Sequence, residues 1–351
     1  MRRLTDLASR SSRRCAVHNL AGRDEQGAAT IFVAILLVVL LGVTALAVDV
    51  GAAYAEKAQL QNGADAAALA IASDCAAEAC GDYTGTGTAF ANRNANDLTS
   101  GSVVTFPDSN TVRVVTAARE PGSSSDSFPL FFARIFGMDT TQIGAAAEAS
   151  WGPPSHASSI PWTAHQCLFK NSLSASQLAE FNSTGKFTGD PSTDLVLLRY
   201  DTTAPAPGGC PAGGYHPGGF GWLETTGEGC SADIDIEATA EGQPGNHYPT
   251  DPECDELLAT IMDEPALIPL YGSVDGTGEN AEYTLVGFGA FQVTGYKFSG
   301  GTGVNISPAS ACTGNCRGLQ GYFARFVTLE EGIISDDDGP DFGGSLVALT
   351  G

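Results

Sequence analysis

From Ala28 to Val48 the chain reads AATIFVAILLVVLLGVTALAV, a run without a single charge. At about 1.5 Å of rise per residue, a helix of that length spans about 30 Å, the thickness of a bilayer's hydrocarbon core. Lipid offers no partner to an unpaired backbone donor or acceptor, so a helix is the conformation this run must take there. Ahead of it stand Arg2, Arg3, Arg10, Arg13, Arg14 and Arg23, against Asp6, Asp24 and Glu25. Basic residues are retained on the cytoplasmic side, which predicts an N-terminus inside and everything after the run outside. Two processing signals compete with a retained anchor. Ala45-Leu46-Ala47 has the small-x-small form that signal peptidase cuts, although the run is longer than a signal peptide needs. Prepilin-type cleavage after Gly27 is the other, but Phe32 stands where a prepilin carries glutamate.

Charge and cysteine follow the same division. The formal charge is −23 overall and +3 from Met1 to Gly27, leaving −26 for the remainder. An acidic body without a basic stripe repels phosphate, so nucleic acid is excluded as a partner. With 43% hydrophobic residues the chain has the material for a core. Cys15 precedes the apolar run. The other eight cysteines, Cys75, Cys80, Cys167, Cys210, Cys230, Cys254, Cys312 and Cys316, all follow it. An even number on the outer side predicts up to four disulfides. Cys75/Cys80 and Cys312/Cys316 are near neighbours, which leaves the other four with three connectivities. A Cys₄ zinc site from the two local pairs is the competing reading.

Beyond the membrane, DVGAAYAEKAQLQNGADAAALAIASDC is rich in helix formers, predicting that one helix runs on to about Ala79. Ala64, Ala67, Ala68 and Ile71 share a face at helical spacing, suited either to another helix or to the chain's own ectodomain. From Gly81, glycine and threonine break the pattern. Ser102 to Phe106 and Thr111 to Ala118 read as strands around a Pro107-Asp108-Ser109-Asn110 turn. An amphipathic stretch, Phe128 to Phe136, and a strand, Thr141 to Trp151, follow. Gly152-Pro153-Pro154 reads as a linker. The remainder is rich in glycine, proline and cysteine, with strands expected at Asp194 to Tyr200, Ala232 to Glu237, Ala281 to Phe298 and Gly321 to Leu329. The Ala281 to Phe298 run is apolar on both faces, as in a central strand or strand pair, and Gly287, Gly289 and Gly295 point to bulges or close packing. The fold class expected is α+β: one transmembrane helix continuing into a long Ala-rich helix, then a β-rich, disulfide-stabilised ectodomain. Its divisions are a cytoplasmic basic segment (1–27), the span (28–48), a helix with short strands (49–152), the Cys/Gly-rich ectodomain (153–335) and an acidic then apolar tail (336–351).

Gly27 after an acidic pair, the apolar span, Val48-Asp49-Val50-Gly51, Tyr54, Leu60-Gln61 and Ala64-Asp65-Ala66-Ala67-Ala68-Leu69-Ala70 occur in that order. Together they resemble the N-terminal module of the TadE/TadG-like family of Flp pilus-assembly proteins. The ectodomain resembles such proteins only loosely, through runs such as Gly219-Phe220-Gly221-Trp222-Leu223. The resemblance implies a single-pass protein of the bacterial plasma membrane, in contact with lipid and with other pilus-assembly proteins or pilins. It also implies a part of the assembly machine rather than the major pilin, which is far shorter. Interaction residues implied are Asp49, Gly51, Tyr54, Gln61, Ala64, Asp65 and Ala68, with homo-oligomer formation through the Ala-rich helix. Asp65 is expected to meet a partner's cation or helix N-terminus, the alternative being a solvated helix position. Some members carry a von Willebrand A-type domain, whose Asp-x-Ser-x-Ser metal motif this chain lacks.

Chemistry finds no foothold in the sequence. There is no Gly-x-Ser-x-Gly elbow, and Gly287-Phe-Gly289 lacks the third glycine of a dinucleotide loop. His156, His165, His216 and His247 are scattered, without paired zinc-ligand spacing. Asp336-Asp337-Asp338-Gly339 has only part of a calcium loop, with Ile334 at its first ligand position and no closing glutamate. Asp233, Asp235 and Glu237 lie on one strand face opposite Ile234 and Ile236, the pattern of a solvated face. The expectation is therefore a non-enzymatic protein without cofactor or metal. The competing class is a secreted or anchored hydrolase or ligand-binding domain on a generic tether.

Overall fold

An uninterrupted helix, α1 (Ala21–Ala76), opens the described part of the chain. The computed structural model describes residues 21–199, 210, 222–225, 230–236, 238–242, 254, 257, 260–276, 281–298, 303–329, 332–335 and 339–351. These fall into two units, Met1–Ala55 with Phe128–Thr141, and Glu56–Ser127 with Gln142–Gly351.

In the first unit α1 is apolar on all sides. Every large apolar residue from Ile31 to Val50 is 47–74% exposed, so no stripe of the helix is covered by protein. Away from its end at Asp49, a helix greasy all round in this way has the surface of a lipid-embedded element. The unit's other segment begins and ends in two short paired strands, β3 (Phe128–Pro129) and β4 (Thr140–Thr141). Between them lies a 3₁₀ turn, Ala133–Phe136, closed by Gly137 in the left-handed conformation.

In the second unit the Glu56–Ala76 part of α1 packs on a five-stranded sheet. Its strands run in the order β1 (Ser100–Asp108), β2 (Thr111–Ala118), β5 (Gly144–Gly152), β16 (Gly344–Leu349), β14 (Phe326–Thr328). Ala64, Ala67, Ala68, Ile71 and Ala72 are buried against Val112, Val114, Ala147, Ala149 and Val347. Small side chains on both surfaces bring helix and sheet close. The buried Thr116 hydroxyl then donates to the Leu60 carbonyl at 2.9 Å, and Gln61 Nε2 to the Ala146 carbonyl at 3.1 Å.

α1 stops at Ala76 rather than near Ala79. Glu78 and Gly81 adopt positive φ, and the Cys75–Cys80 disulfide closes the turn between them. The glycine- and threonine-rich stretch after it is not a break but a second helix, α2 (Tyr83–Asn94), with Asp82 accepting from the Gly85 N–H at its start. Its glycine is a packing device: a Cβ on Gly87 would sit 2.7 Å from Val104 Cγ2, and one on Gly63 of α1 3.2 Å from Ala91 Cα. Helix propensity alone misreads the stretch, because close approach to α1 and β1 outweighs the cost of glycine.

The expected linker at Gly152-Pro153-Pro154 is a strand junction, β5 passing directly into β6 (Pro154–Ser159). β6 lies between β15 (Gly332–Ile334) and β9 (Ala232–Asp235) in a three-stranded sheet. The expected apolar tail is likewise ordered: its last part is β16, antiparallel to β5 and parallel to β14, with Leu346 and Val347 buried. Strands from just after α2 and from the chain's last residues therefore share one sheet.

The third large sheet has the order β7 (Ala164–His165), β11 (Ala266–Asp275), β12 (Glu282–Lys297), β13 (Gly318–Ala324), β8 (Val196–Arg199), and β10 (Thr239–Glu241) also pairs with β12. β12 is central, as its two apolar faces demand, and a Cβ at Gly287 would lie 2.8 Å from the Phe342 ring. Two helices not foreseen from the sequence, α3 (Gln166–Ser172) and α4 (Ala175–Thr184), cover this sheet, α4 starting in a capping box made by Ser174 and Gln177. Phe169 is fully buried there, with the rings of Phe181, Phe187, Phe323 and Phe342 all within 5.7 Å of its centroid. The cysteines pair as Cys75–Cys80, Cys167–Cys210, Cys230–Cys254 and Cys312–Cys316. The region is thus mixed helix and strand, β-rich, and crosslinked by four disulfides.

Candidate functional site at the end of the apolar helix

The first charged residue after the apolar run, Asp49, is only 4% exposed. Its carboxylate accepts from three consecutive backbone N–H groups: Phe131 at 2.9 Å, Phe132 at 3.0 Å and Ala133 at 2.7 Å. These are the free donors at the start of the 3₁₀ turn, and convergent N–H groups of this kind suit an anion. Arg134, next in sequence, donates from Nε to the Phe131 carbonyl at 2.9 Å, and its guanidinium lies 5.9 Å from the Phe131 ring centroid. A buried charge is costly unless hydrogen-bonded, and here it is spent on fixing a loop to the helix. Around this polar knot the loop is apolar. Ile135 is 77% and Phe136 81% exposed, with Phe131 and Met138 also exposed. Ile135, Phe136 and Met138, with Phe132 and Ala133, line a groove whose helical wall runs from Leu41 to Asp49.

The other residues singled out by sequence are placed differently. Gly51 is exposed, with no atom within 4 Å of where a Cβ would be, and Tyr54 is 73% exposed. Asp65 accepts from Gln61 Nε2 at 2.7 Å, one helical turn away, so its partner lies in its own helix. Ala64 and Ala68 are fully buried beneath the chain's own sheet. Of the two readings left open for this face, another helix or the chain's own ectodomain, the chain's own sheet is what covers it, small residues suited to a helix being equally suited to a flat sheet. Sequence reasoning missed the Phe131–Ala133 donors entirely. The amphipathic stretch was visible, but its attachment to Asp49, far earlier in the chain, leaves no local signal.

Among the described residues, one group of metal-ligating side chains comes together. His165, Cys167 and Cys210 converge, but both sulfurs are bound in one disulfide and offer no thiolate. His165 instead accepts from the Cys167 N–H at 3.0 Å and caps α3. His156 Nε2 lies 3.1 Å from Asp233 on the solvent side of β9, where Asp235 is exposed as well. Glu237, His216, His247, Asp336, Asp337, Asp338 and the Gly219–Gly221 stretch lie outside the described residues.

No curated protein and no solved structure matches the chain. Residues 27–74, which hold the apolar helix, Asp49 and the alanine face, match the Tad family model, Flp pilus-assembly TadE/G-like, and this domain ties the chain to Flp/Tad pilus assembly.

Proposed function

We propose that this protein is a single-pass plasma-membrane component of the Flp/Tad apparatus that works through contacts rather than catalysis. Residues 1–27 lie in the cytoplasm, 28–48 cross the bilayer, and the β-rich region stands outside. The observation that carries the reading is that the family match at residues 27–74 takes in a helical run, 28–48, without a charge and apolar on every side. Three further features support it: arginine ahead of the span, four disulfides after it, and the excess of acid in the ectodomain. Asp49 positions the membrane-proximal loop. With Ala64 and Ala68 used internally, the exposed Tyr54 side of α1 and the ectodomain surface are left to meet pilins or other assembly proteins.

Protease added to intact spheroplasts should remove the ectodomain and leave an N-terminal fragment in the membrane, and deletion of the gene should reduce Flp piliation. Full protection of the ectodomain until lysis would reject the topology. Unchanged piliation in the deletion strain would reject the role. Co-purification of other pilus proteins, weakened by Tyr54→Ala, tests the contact surface.

A further inference from the structure

We infer that the Phe128–Thr141 loop is a second membrane contact, a wedge whose apolar tip lies in the outer leaflet beside the spanning helix. This rests on the membrane-anchored reading above. Exposed apolar side chains alone do not name their occupant; their position along the helix does. Ile135, Phe136 and Met138 share one groove with Leu41, Leu46 and Val48. The helical wall of that groove, from Leu41 to Asp49, is about 12 Å long at about 1.5 Å per residue. All of it but Asp49 belongs to the apolar run, so the loop reaches back along the segment that faces lipid. Interfacial elements bury their apolar faces to about 5–10 Å, a comparable depth.

The polar parts of the loop agree with this placement. Asp49, which would otherwise carry an unpaired charge into the interface, gives its carboxylate to three N–H groups, and those donors would otherwise face lipid unpaired. One carboxylate thus satisfies the backbone of the turn while its apolar side chains stay outward. Arg134 turns its guanidinium back to the Phe131 carbonyl and ring, as a cation at a headgroup boundary does. The exposed surface of the loop and that of the span are continuous, and lipid is the solvent already required for the latter.

The test uses the full-length protein in phosphatidylcholine/phosphatidylglycerol vesicles whose acyl chains are brominated either near the headgroup or near the chain end. Phe136→Trp reports the loop and Leu37→Trp the middle of the span, each read against the quenching of the three native tryptophans. Both positions are exposed, so neither change disturbs a core. For Phe136→Trp the added emission should be quenched about twofold more by shallow than by deep bromine, the order expected of an interfacial depth. Leu37→Trp should show the reverse preference. Quenching at Leu37→Trp with none at Phe136→Trp would overturn the wedge and leave the anchor standing. No quenching at either would overturn both. A blue-shifted Phe136→Trp emission that grows with protein density but ignores bromine would also overturn it, assigning the surface to a second protein.

Discussion

Asp49 shows how one side chain can organise a segment far from it in sequence. Three donors converge on its two oxygens, and no other acceptor serves them among the described residues. In Asp49→Ala the Phe131, Phe132 and Ala133 amides should exchange with solvent roughly tenfold faster, the scale of one lost net hydrogen bond. Asp49→Asn, which keeps one acceptor oxygen, should fall between. Hydrogen exchange resolved to these amides checks both. His165 makes a second residue-scale case. Burial lowers its pKa below the ordinary histidine value of 6.5, with Lys170 adding to the effect and a hydrogen bond to the Gly272 backbone opposing it. The unfolded chain therefore takes up a proton first as pH falls. Its contribution to stability is full above 6.5 and is lost as pH drops from there toward the lower folded value. The Tm should decline across that window, and less so in His165→Asn, which keeps an acceptor at the start of α3.

At the scale of elements, the alanine face of α1 and the central strands of the first sheet determine each other. Ala68 is fully buried, so Ala68→Leu forces a larger side chain between helix and strands and should cost about 1–3 kcal/mol. Thermal or denaturant unfolding would show that loss, with the oligomeric state unchanged if the face is internal. An oligomer that dissociates in this variant without loss of protomer stability would contradict the packing seen here. The sequence pattern was sufficient to place Ala64, Ala67, Ala68 and Ile71 on one side. It was silent on what covers them, because a stripe of methyl groups fits a helix and a sheet equally. α2 failed to show for the opposite reason: Gly85 and Gly87 argue against a helix locally, and the need for Gly87 appears only when Val104 stands 2.7 Å from a would-be Cβ.

For the whole chain, the joining of distant segments carries the β-rich region. β16 is inserted between β5 and β14 in the same sheet that holds the helix, so the last residues complete a core begun in α1. A stop codon after Pro340 would remove Phe342, Leu346 and Val347, all buried, each worth about 2–5 kcal/mol against a total stability of about 5–15 kcal/mol. The cooperative thermal transition of the β-rich region should disappear; a truncated protein melting like the full one would show that β16 is dispensable.

By themselves the residues determined the long apolar helix, its extension as an Ala-rich helix, the β-rich region that follows and the stock of cysteines for four disulfides. Each of these is a local property, set by hydrophobicity, period or composition within a few turns or strands. Tertiary structure alone decided that the alanine face is covered by the chain's own sheet, that Asp49 holds a loop from beyond β2, and that the tail is a strand. Those outcomes depend on contacts between segments far apart in the chain. Their free energy comes from surfaces fitting one another, and such a fit leaves no trace in either segment taken alone.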